Sequence, residues 1–458
     1  MNNSPLQHPV YRRLFAAQVI ALAGTGLTTV ALALLAYDLG GGNAGAILGT
    51  AFAIKMVAYV GIAPVISGFS HQLPRRALLV TLDILRAASV VCLPFVTEIW
   101  QIYGLIFILS ACSAGFTPTF QATIPDVLPE EDQYTRALSL SRLAYDLENL
   151  LSPTIAAMAL LFLSYDALFT ANAVSFIVSA LLVLSVQLPS PQAQDRTNGI
   201  WHNTTYGIRA YLKTPRLRGL LAFSLAAASS GAMVIVNTVV YVRDTLGGSE
   251  TDAAIAFAAT GAGSMIVALS LPALLKKFPD RLFILSGGWL LVGGLLFGLT
   301  NPSLFSLLVL WFILGAGASL IQTPVGRLLM RSANRNDRPA LYSAQFALSH
   351  LCWLIAYPMA GWLGATLGLT VTFSILAAVA LISTITGLIL WPANDPIELE
   401  HTHTLIEHEH LHVHDKHHQH DHTKEDSTEP HSHVHRHLPT KHTHPYVIDF
   451  HHSLWPKP

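Results

Sequence analysis

The sequence predicts an all-α membrane protein, with twelve transmembrane helices in two six-helix halves and a disordered tail. Of its 458 residues, 52% are hydrophobic and only 12% are charged, against about 25% charged in ordinary soluble domains. The apolar residues come in blocks of about 18 or more, long enough to cross a hydrocarbon core about 30 Å thick. A polar, histidine-rich stretch follows the last apolar block. These three observations exclude an ordinary soluble domain.

The apolar blocks define twelve predicted spans. In the first half they fall at 14–37, 44–68, 77–98, 101–121, 137–162 and 166–188. In the second half they fall at 217–242, 252–275, 282–300, 303–325, 341–366 and 369–391. We therefore expect an N-terminal six-helix half (1–188), a connecting loop (189–216), a C-terminal six-helix half (217–392) and a tail (393–458).

The distribution of basic residues predicts the orientation. With the N-terminus inside, seventeen Lys and Arg residues lie in inside segments before the tail, and one, Arg243, lies outside. Because inside loops are enriched in Lys and Arg, both termini are predicted to face the cytoplasm. The first span follows Arg12 and Arg13 and is too long for the apolar region of a signal peptide, so we expect it to be retained. The predicted location is a bacterial plasma membrane.

Several classes of function are disfavoured. A net charge of −1 gives no reason to expect a nucleic-acid partner. The three cysteines, Cys92, Cys112 and Cys352, lie in apolar blocks without CxxC spacing, which argues against a disulfide framework or a thiolate zinc site. The absence of a GxxxxGK[ST] motif favours ion coupling over ATP hydrolysis. We expect neither an enzyme nor a permanent cofactor.

The fifth predicted span carries the densest set of charges. Ionisable groups at membrane depth are costly and are candidates for function. At 100° per residue, Arg142, Asp146 and Asn149 share one stripe, whereas Glu148 lies about 200° from Asp146. Arg142 and Asp146 have the i, i+4 spacing of an ion pair. Glu148 lacks such a local partner, so it is the favoured carboxylate for a metal ion or proton; a helix-packing network is the alternative.

The eleventh predicted span contributes His350 at a depth similar to that of Asp146. Imidazole is a good ligand for nickel, cobalt and zinc, and its pKa near 6.5 suits proton exchange. A histidine that only bonds two helices is the alternative. Cys352 faces away from His350 and is more often a small hydrophobe. Lys55, in the middle of the second span, either balances a carboxylate or changes partner during transport.

The tail holds eighteen of the chain's twenty-two histidines, between His401 and His452. Because aliphatic and aromatic residues are scarce, we expect it to be disordered without metal. The H-x-H repeat places imidazoles on one side of an extended chain, and borderline divalent ions favour imidazole, whereas magnesium and calcium do not. A solvated polar tail is the alternative. The predicted metal-binding residues are His401, His403, His408, His410, His412, His414, His417, His418, His420, His422, His431, His433, His435 and His437.

Several stretches also resemble a known family. GFSHQLPRRALLVTLDILRAA and FTPTFQATIPDVLPEEDQYTRALSLSRL are similar to segments of the drug- and siderophore-efflux branch of the major facilitator superfamily. In that branch an acidic and a basic residue usually precede LPRR, where this chain has His71 and Gln72. The resemblance implies a gating or packing network at the cytoplasmic end, formed by Asp83, Arg86, Arg75 and Arg76.

A narrower resemblance rests on SRLAYDLENLLSP at 141–153, SAQFALSHLCWLIAYPMAGWLG at 343–364 and the histidine-rich tail. Together they resemble the bacterial nickel-resistance exporters of this superfamily. This implies a secondary active exporter of nickel, with cobalt or zinc as the other ions bound as substrate, driven by proton antiport and conferring metal resistance. Its partners would be lipid, divalent metal ions and protons. Two alternatives stay open: efflux of an organic compound or metal chelate of drug or siderophore type, and a membrane-anchored metal store or sensor.

Overall fold

The computed structural model of the chain is a bundle of long helices with a short stranded tail. It describes residues 4–69, 74–130, 158–188, 200–333 and 338–395, eleven positions between 133 and 156, and, in the tail, residues 398–402, 406–412, 431–437, 441–448 and 455. In the first half the helices are α1 (Pro9–Gly40), α2 (Ala44–Phe69), α3 (Arg75–Cys92), α4 (Ile99–Val127) and α5 (Tyr165–Leu184). In the second half they are α6 (Ile200–Lys213), α7 (Pro215–Val240), α8 (Glu250–Leu274), α9 (Asp280–Phe297), α10 (Leu304–Gln322), α11 (Val325–Arg331), α12 (Arg338–Leu367) and α13 (Leu369–Leu390).

The helices agree with the predicted spans. Within the described residues, ten stretches are long and apolar enough to cross a membrane, and the first of them, Pro9–Ile62, contains both α1 and α2. Half of the predicted span 137–162 lies outside the described residues, and its described positions up to residue 160 are helical. Together these account for the twelve predicted spans and confirm the all-α membrane fold.

Two sides of the bundle can be defined from the helix ends. We call the end at which α1 begins and α13 ends the basic side, because Arg75, Arg216 and Arg331 lie there. The other end, at which α1 ends and α8 begins, is the opposite side. The predicted connecting loop 189–216 is not wholly irregular, since α6 occupies Ile200–Lys213 on the basic side.

Glycines permit the close contact between α2 and α12, which joins the two halves. A Cβ atom on Gly361 would lie 2.2 Å from the Gly45 carbonyl oxygen, and one on Gly49 would lie 2.6 Å from the Tyr357 carbonyl oxygen. Small residues let helix backbones approach closely in membranes, where packing replaces the hydrophobic drive between helices. The Trp362 indole N–H also donates to the Thr50 hydroxyl at 3.0 Å. The distance between α2 and α12 is therefore limited by the size of the side chains at their contact.

The tail differs from the disordered segment predicted for it. Four of its segments are strands, β1 (Glu398–Thr402), β2 (Ile406–His412), β3 (His431–His437) and β4 (Lys441–Pro445). β1 pairs with β4 and β2 with β3, both antiparallel. The physical reason is that alternation of histidine with other residues has the two-residue period of a strand. Backbone pairing can then form without a large apolar core.

Candidate functional site

A polar cavity opens in the first half between α1, α2 and α4. Thr25, Thr28 and Thr29 of α1 line it, together with Ser110 and Ser113 of α4. The remaining lining residues are Leu32, Phe52, Lys55, Tyr59, Ile106 and Leu109. Hydroxyl groups and one ammonium group inside an apolar bundle are costly at membrane depth, which makes this cavity a candidate for function.

Lys55 is the cation of this cavity. Its side chain is half-buried, and its ammonium nitrogen lies 6.0 Å from the ring centre of Phe52 and 5.9 Å from that of Tyr59. These are the distances at which the face of an aromatic ring attracts a cation. The ring of His350 lies 5.5 Å from the same Tyr59 ring. Tyr59 therefore lies beside both the ammonium group of the first half and the predicted imidazole of the second.

Glu148 is a half-buried residue at a helical position of the fifth span, and its carboxylate attracts Lys55. This contact gives Glu148 a long-range partner that sequence spacing could not reveal. Asp146, Asn149 and Arg142, the other predicted residues of this span, lie outside the described residues. Their predicted roles remain predictions.

His350 is held from two sides. Its Nδ1 lies 2.7 Å from the Phe346 carbonyl oxygen, and its ring centre lies 3.9 Å from that of Phe346 and 5.5 Å from that of Tyr59. A carbonyl oxygen can only accept, so Nδ1 carries the proton in this hydrogen bond. In the neutral ring Nε2 then keeps its lone pair, and such an orienting contact is what fixes the tautomer of metal-binding histidines.

Aromatic side chains around Lys55 and His350 were missed by the sequence analysis. Phe52 lies 4.9 Å from Tyr357, and Trp353 lies 5.0 Å from the same ring. The signal was present in the spacing, since 346, 350, 353 and 357 recur at helical intervals along α12. These residues enclose the site with rings that can pack against a ligand or seal the site from water.

Cys352 lies on another side of α12. It is buried, and its sulfur lies 4.0 Å from the Leu221 carbonyl oxygen of α7. Asn172 and Asn237, which could have donated ligands, bond helices together instead. Asn172 donates to the Thr28 hydroxyl at 2.6 Å, and Asn237 donates to the Ala360 carbonyl oxygen at 2.9 Å. The described geometry gives Cys352 a packing contact.

The predicted gating residues form two separate groups. Asp83 and Arg86 make a buried ion pair, and the Ser179 hydroxyl donates to Asp83 at 2.8 Å. The guanidinium of Arg86 stacks 4.1 Å from the Phe116 ring and 4.5 Å from the Phe176 ring. The pair therefore ties α3 to α4 and α5 within the first half.

Arg75 and Arg76 form the second group, at the basic side. Arg75 makes an ion pair with Asp126 of α4, a partner that the sequence analysis did not select. Arg76 donates to the Leu184 carbonyl oxygen at the end of α5. His71 and Gln72, where the usual charged residues are replaced, lie outside the described residues.

The tail histidines are described in part. His401, His408, His410, His412, His431, His433, His435 and His437 lie in strands, whereas His403, His414, His417, His418, His420 and His422 lie outside the described residues. Among the residues that the structure describes, no three His, Cys, Asp or Glu residues form a metal-binding group. The described residues alone therefore supply no group of three metal ligands.

The fold and the central polar site define a multi-pass membrane transporter. The profile of the Major Facilitator Superfamily matches residues 14–288 and 220–411. The chain therefore belongs to the major facilitator superfamily, which consists of transporters and not enzymes.

The relatives agree with this class. The chain is 23% identical over 355 residues to an uncharacterized MFS-type transporter, YvqJ, of Bacillus subtilis (strain 168), covering 74% of this chain and 82% of the relative. It is 24% identical over 152 residues to macrolide efflux protein A of Enterococcus faecalis, covering 31% of this chain and 47% of that protein. A bacterial homologue of the human lysosomal transporter Spinster, solved inward-facing and occupied, superposes with a TM-score of 0.66 at 12% identity, covering 85% of this chain and 97% of the homologue.

Proposed function

We propose that this transporter is a secondary active exporter of a divalent transition metal, nickel first and cobalt second, driven by proton antiport. It would lie in a bacterial plasma membrane with both termini in the cytoplasm, so that the basic side faces inward. The observation that carries the proposal is that Lys55 of the first half and His350 of the second half both lie beside the ring of Tyr59, at 5.9 Å and 5.5 Å from its centre. This arrangement joins the two halves at the depth where rocking would alternately expose a bound ion.

Charge balance suggests how the site works. In the empty transporter Lys55 neutralises Glu148, so no unpaired carboxylate is left at membrane depth. An entering divalent ion takes over Glu148 and the Nε2 lone pair of His350, and the ammonium of Lys55 withdraws toward the Phe52 and Tyr59 rings. Protons that enter from the other side displace the ion from both groups. Asp146 and Asn149 are the proposed sources of further ligands.

The tail favours metal over other substrates and export over import. Histidine prefers nickel, cobalt, copper and zinc over magnesium and calcium. A metal-binding tail on the cytoplasmic side raises the local ion concentration at the entrance of an exporter. An importer would gain only a buffer at the delivery side.

A second candidate function is efflux of an organic compound or metal chelate. The similarity to macrolide efflux proteins favours it, as do the aromatic side chains of Phe52, Tyr59 and Tyr357 beside the site. Such rings could pack against an organic molecule. This candidate makes the tail dispensable and gives Glu148 no metal to bind.

Uptake into everted membrane vesicles with an acidic interior tests these functions. We expect wild-type vesicles to accumulate nickel, and Glu148→Gln and His350→Ala vesicles to lose at least nine-tenths of that uptake. Glu130→Gln, which changes an exposed glutamate outside the spans, is the matched control and should transport normally. A chain that ends at Asp395 keeps the pairs of that residue with Arg216 and Arg331, so it removes the tail and its own contacts while these two ion pairs stay in place.

The outcomes separate the candidates. If wild-type vesicles move no divalent ion but accumulate a macrolide, the chain exports organic compounds. If the protein binds nickel but moves neither nickel nor macrolide, it is a metal store or sensor. If nickel uptake survives Glu148→Gln unchanged, the assignment of the site is wrong even though nickel is the substrate.

A further inference from the structure

The end of the chain is packed against the bundle. Tyr446, Val447 and Ile448 are each only 6% exposed, although they follow a long polar tail. The Tyr206 hydroxyl of α6 donates to the Ile448 carbonyl oxygen at 3.2 Å. The ring of Trp455 lies 5.1 Å from that of Tyr446 in an edge-on contact. We call Tyr446, Val447, Ile448 and Trp455 the docking segment.

Arg216 connects the docking segment to the start of the tail. It lies at the beginning of α7 and is 1% exposed. Its Nε lies 3.4 Å from a carboxylate oxygen of Asp395, the last described residue before the strands. Its guanidinium carbon lies 5.0 Å from the centre of the Trp455 ring. One buried cation therefore contacts residues on both sides of the histidine-rich region.

The strands between these two contacts form two ladders, an outer one of β1 with β4 and an inner one of β2 with β3. Three residues, 403–405, separate β1 from β2 in the sequence, and three, 438–440, separate β3 from β4. Because these separations are equal, the two ladders have the same register. The innermost partners, His412 and His431, lead into the connection formed by residues 413–430.

The register gathers the histidines of β2 and β3 on one face of their ladder. Residues directly opposite each other in an antiparallel pair share a face, and alternate residues along a strand do so too. Three cross-strand pairs of this ladder consist of two histidines each, and His437 faces Ile406 on the same face. The pairs are His408 with His435, His410 with His433, and His412 with His431. A fourth histidine pair, His401 with His442, lies in the ladder of β1 and β4.

The other face of the inner ladder has a different character. It carries the pairs Glu407 with Arg436, Glu409 with Val434, and Leu411 with Ser432. None of its six residues is a histidine. The seven histidines of β2 and β3 thus occupy a single face, and opposite positions in such a ladder have Cβ atoms about 4.5–5.5 Å apart.

We propose that the docking segment closes the tail into one hairpin at Arg216, and that the cross-strand histidine pairs of this hairpin form a preorganised site for divalent transition metal ions. Closure at the base holds β1 beside β4 and so favours the register that aligns β2 with β3. Two histidines from opposite strands then meet an ion without the cost of gathering them from a flexible chain. This inference deepens the proposed function and relies on it for the physiological identity of the ion.

Equilibrium binding of nickel to the purified full-length protein tests the pairing. The double variant His410→Ala/His433→Ala removes one cross-strand pair, and His451→Ala/His452→Ala removes the same number of histidines from the sequence after β4. We expect the first to weaken the tightest nickel binding at least tenfold and the second to change it less than threefold. If the two double variants weaken nickel binding equally, the histidines are interchangeable and the paired site is wrong.

A second pair of variants tests the closure. Tyr446→Ala/Trp455→Ala removes the docking contacts and leaves every histidine in place, and Trp100→Ala, an exposed tryptophan on α4, is the control. We expect the docking variant to bind nickel about tenfold more weakly, with an unchanged number of ions bound at saturation. Unchanged affinity for both nickel and zinc would refute the closure. These measurements use no ion gradient, so failure of transport and failure of this inference are distinguishable.

Discussion

The ring of His350 lies 5.5 Å from the ring of Tyr59, and this contact joins α12 of the second half to α2 of the first. Lys55 lies one turn before Tyr59 on α2, with its ammonium nitrogen 5.9 Å from the Tyr59 ring. A movement of one half against the other must therefore change the surroundings of the imidazole and the ammonium together. Such a shared contact is what couples an ion site to rocking.

Replacing Lys55 tests this coupling. In Lys55→Met a fixed positive charge disappears from beside Glu148 and His350, so a divalent ion meets less repulsion. We expect the KM for nickel uptake to fall about tenfold, since like charges a few ångströms apart interact by several kcal/mol even at an effective dielectric near 20. The maximal rate should also fall, because the empty site loses the cation that balances Glu148.

Uptake kinetics in everted vesicles measure both quantities. Lys55→Arg is the control, since it keeps the positive charge and should keep the KM near that of the wild type. An unchanged KM and maximal rate in Lys55→Met would contradict a role for this residue in the site.

The spans were predictable from the sequence, whereas the partners within the site were not. Hydrocarbon thickness forces about twenty apolar residues per helix, so composition alone reveals where α1 or α13 must lie. The predicted depth of Lys55, Glu148 and His350 in the membrane also made them candidates for function, because ionisable groups are costly there. What composition cannot show is that Lys55 and His350 both lie beside the ring of Tyr59, because Lys55 and His350 are nearly 300 positions apart along the chain.

The tail illustrates the same limit. The scarcity of apolar residues in the tail predicted disorder. The H-x-H repeat has the two-residue period of a strand, but the sequence analysis used it only to place histidines on one side of an extended chain. The hydrogen bond from Tyr206 to Ile448 and the stacking of Arg216 on Trp455 depend on contacts across roughly 240 residues. Arg216 itself was counted only as a basic loop residue, although it is 1% exposed.

The buried pair of Asp83 and Arg86 should affect stability before it affects transport. Asp83→Asn leaves the Arg86 guanidinium buried without its counter-ion, and losing one partner of a buried pair costs about 3–5 kcal/mol. We expect a clearly lower midpoint of thermal unfolding in detergent, measured by light scattering or by intrinsic fluorescence. The double variant Asp83→Leu/Arg86→Met removes both charges and should recover much of that loss.

A pure gating role for this pair makes a different prediction. In that case Asp83→Asn would keep the wild-type midpoint and would change only the rate of nickel uptake. Comparison of the single and the double variant thus decides between packing and gating.

The glycine contact between α2 and α12 should tolerate no side chain. In Gly361→Ala the new Cβ would lie 2.2 Å from the Gly45 carbonyl oxygen, so the two helices must separate. We expect a lower thermal midpoint and a loss of most nickel uptake. Gly293→Ala is the matched control, because no atom lies within 4 Å of its Cβ position. Equal behaviour of the two variants would show that α2 and α12 can move apart without cost.

A hydrogen bond at the opposite side should control which way the transporter opens. The Tyr37 hydroxyl of α1 donates to Asp244, which follows α7, and the Arg243 guanidinium lies 5.2 Å from the Tyr37 ring. This bond joins the two halves, whereas a second bond of the same chemistry, from Tyr165 to Asp38, stays within the first half. Breaking the first bond should therefore favour opening toward the opposite side, and breaking the second should not.

Thiol labelling measures this equilibrium. In a background without Cys92, Cys112 and Cys352, a cysteine at position 29 reports access to the cavity that Thr29 lines. We expect Tyr37→Phe to speed labelling from the opposite side about fivefold, the effect of losing a hydrogen bond worth roughly 1 kcal/mol. Tyr165→Phe should leave the rate within twofold of the parent. If both variants speed labelling alike, the Tyr37 bond has no special role in closure, because a bond inside one half would then matter as much as a bond between halves.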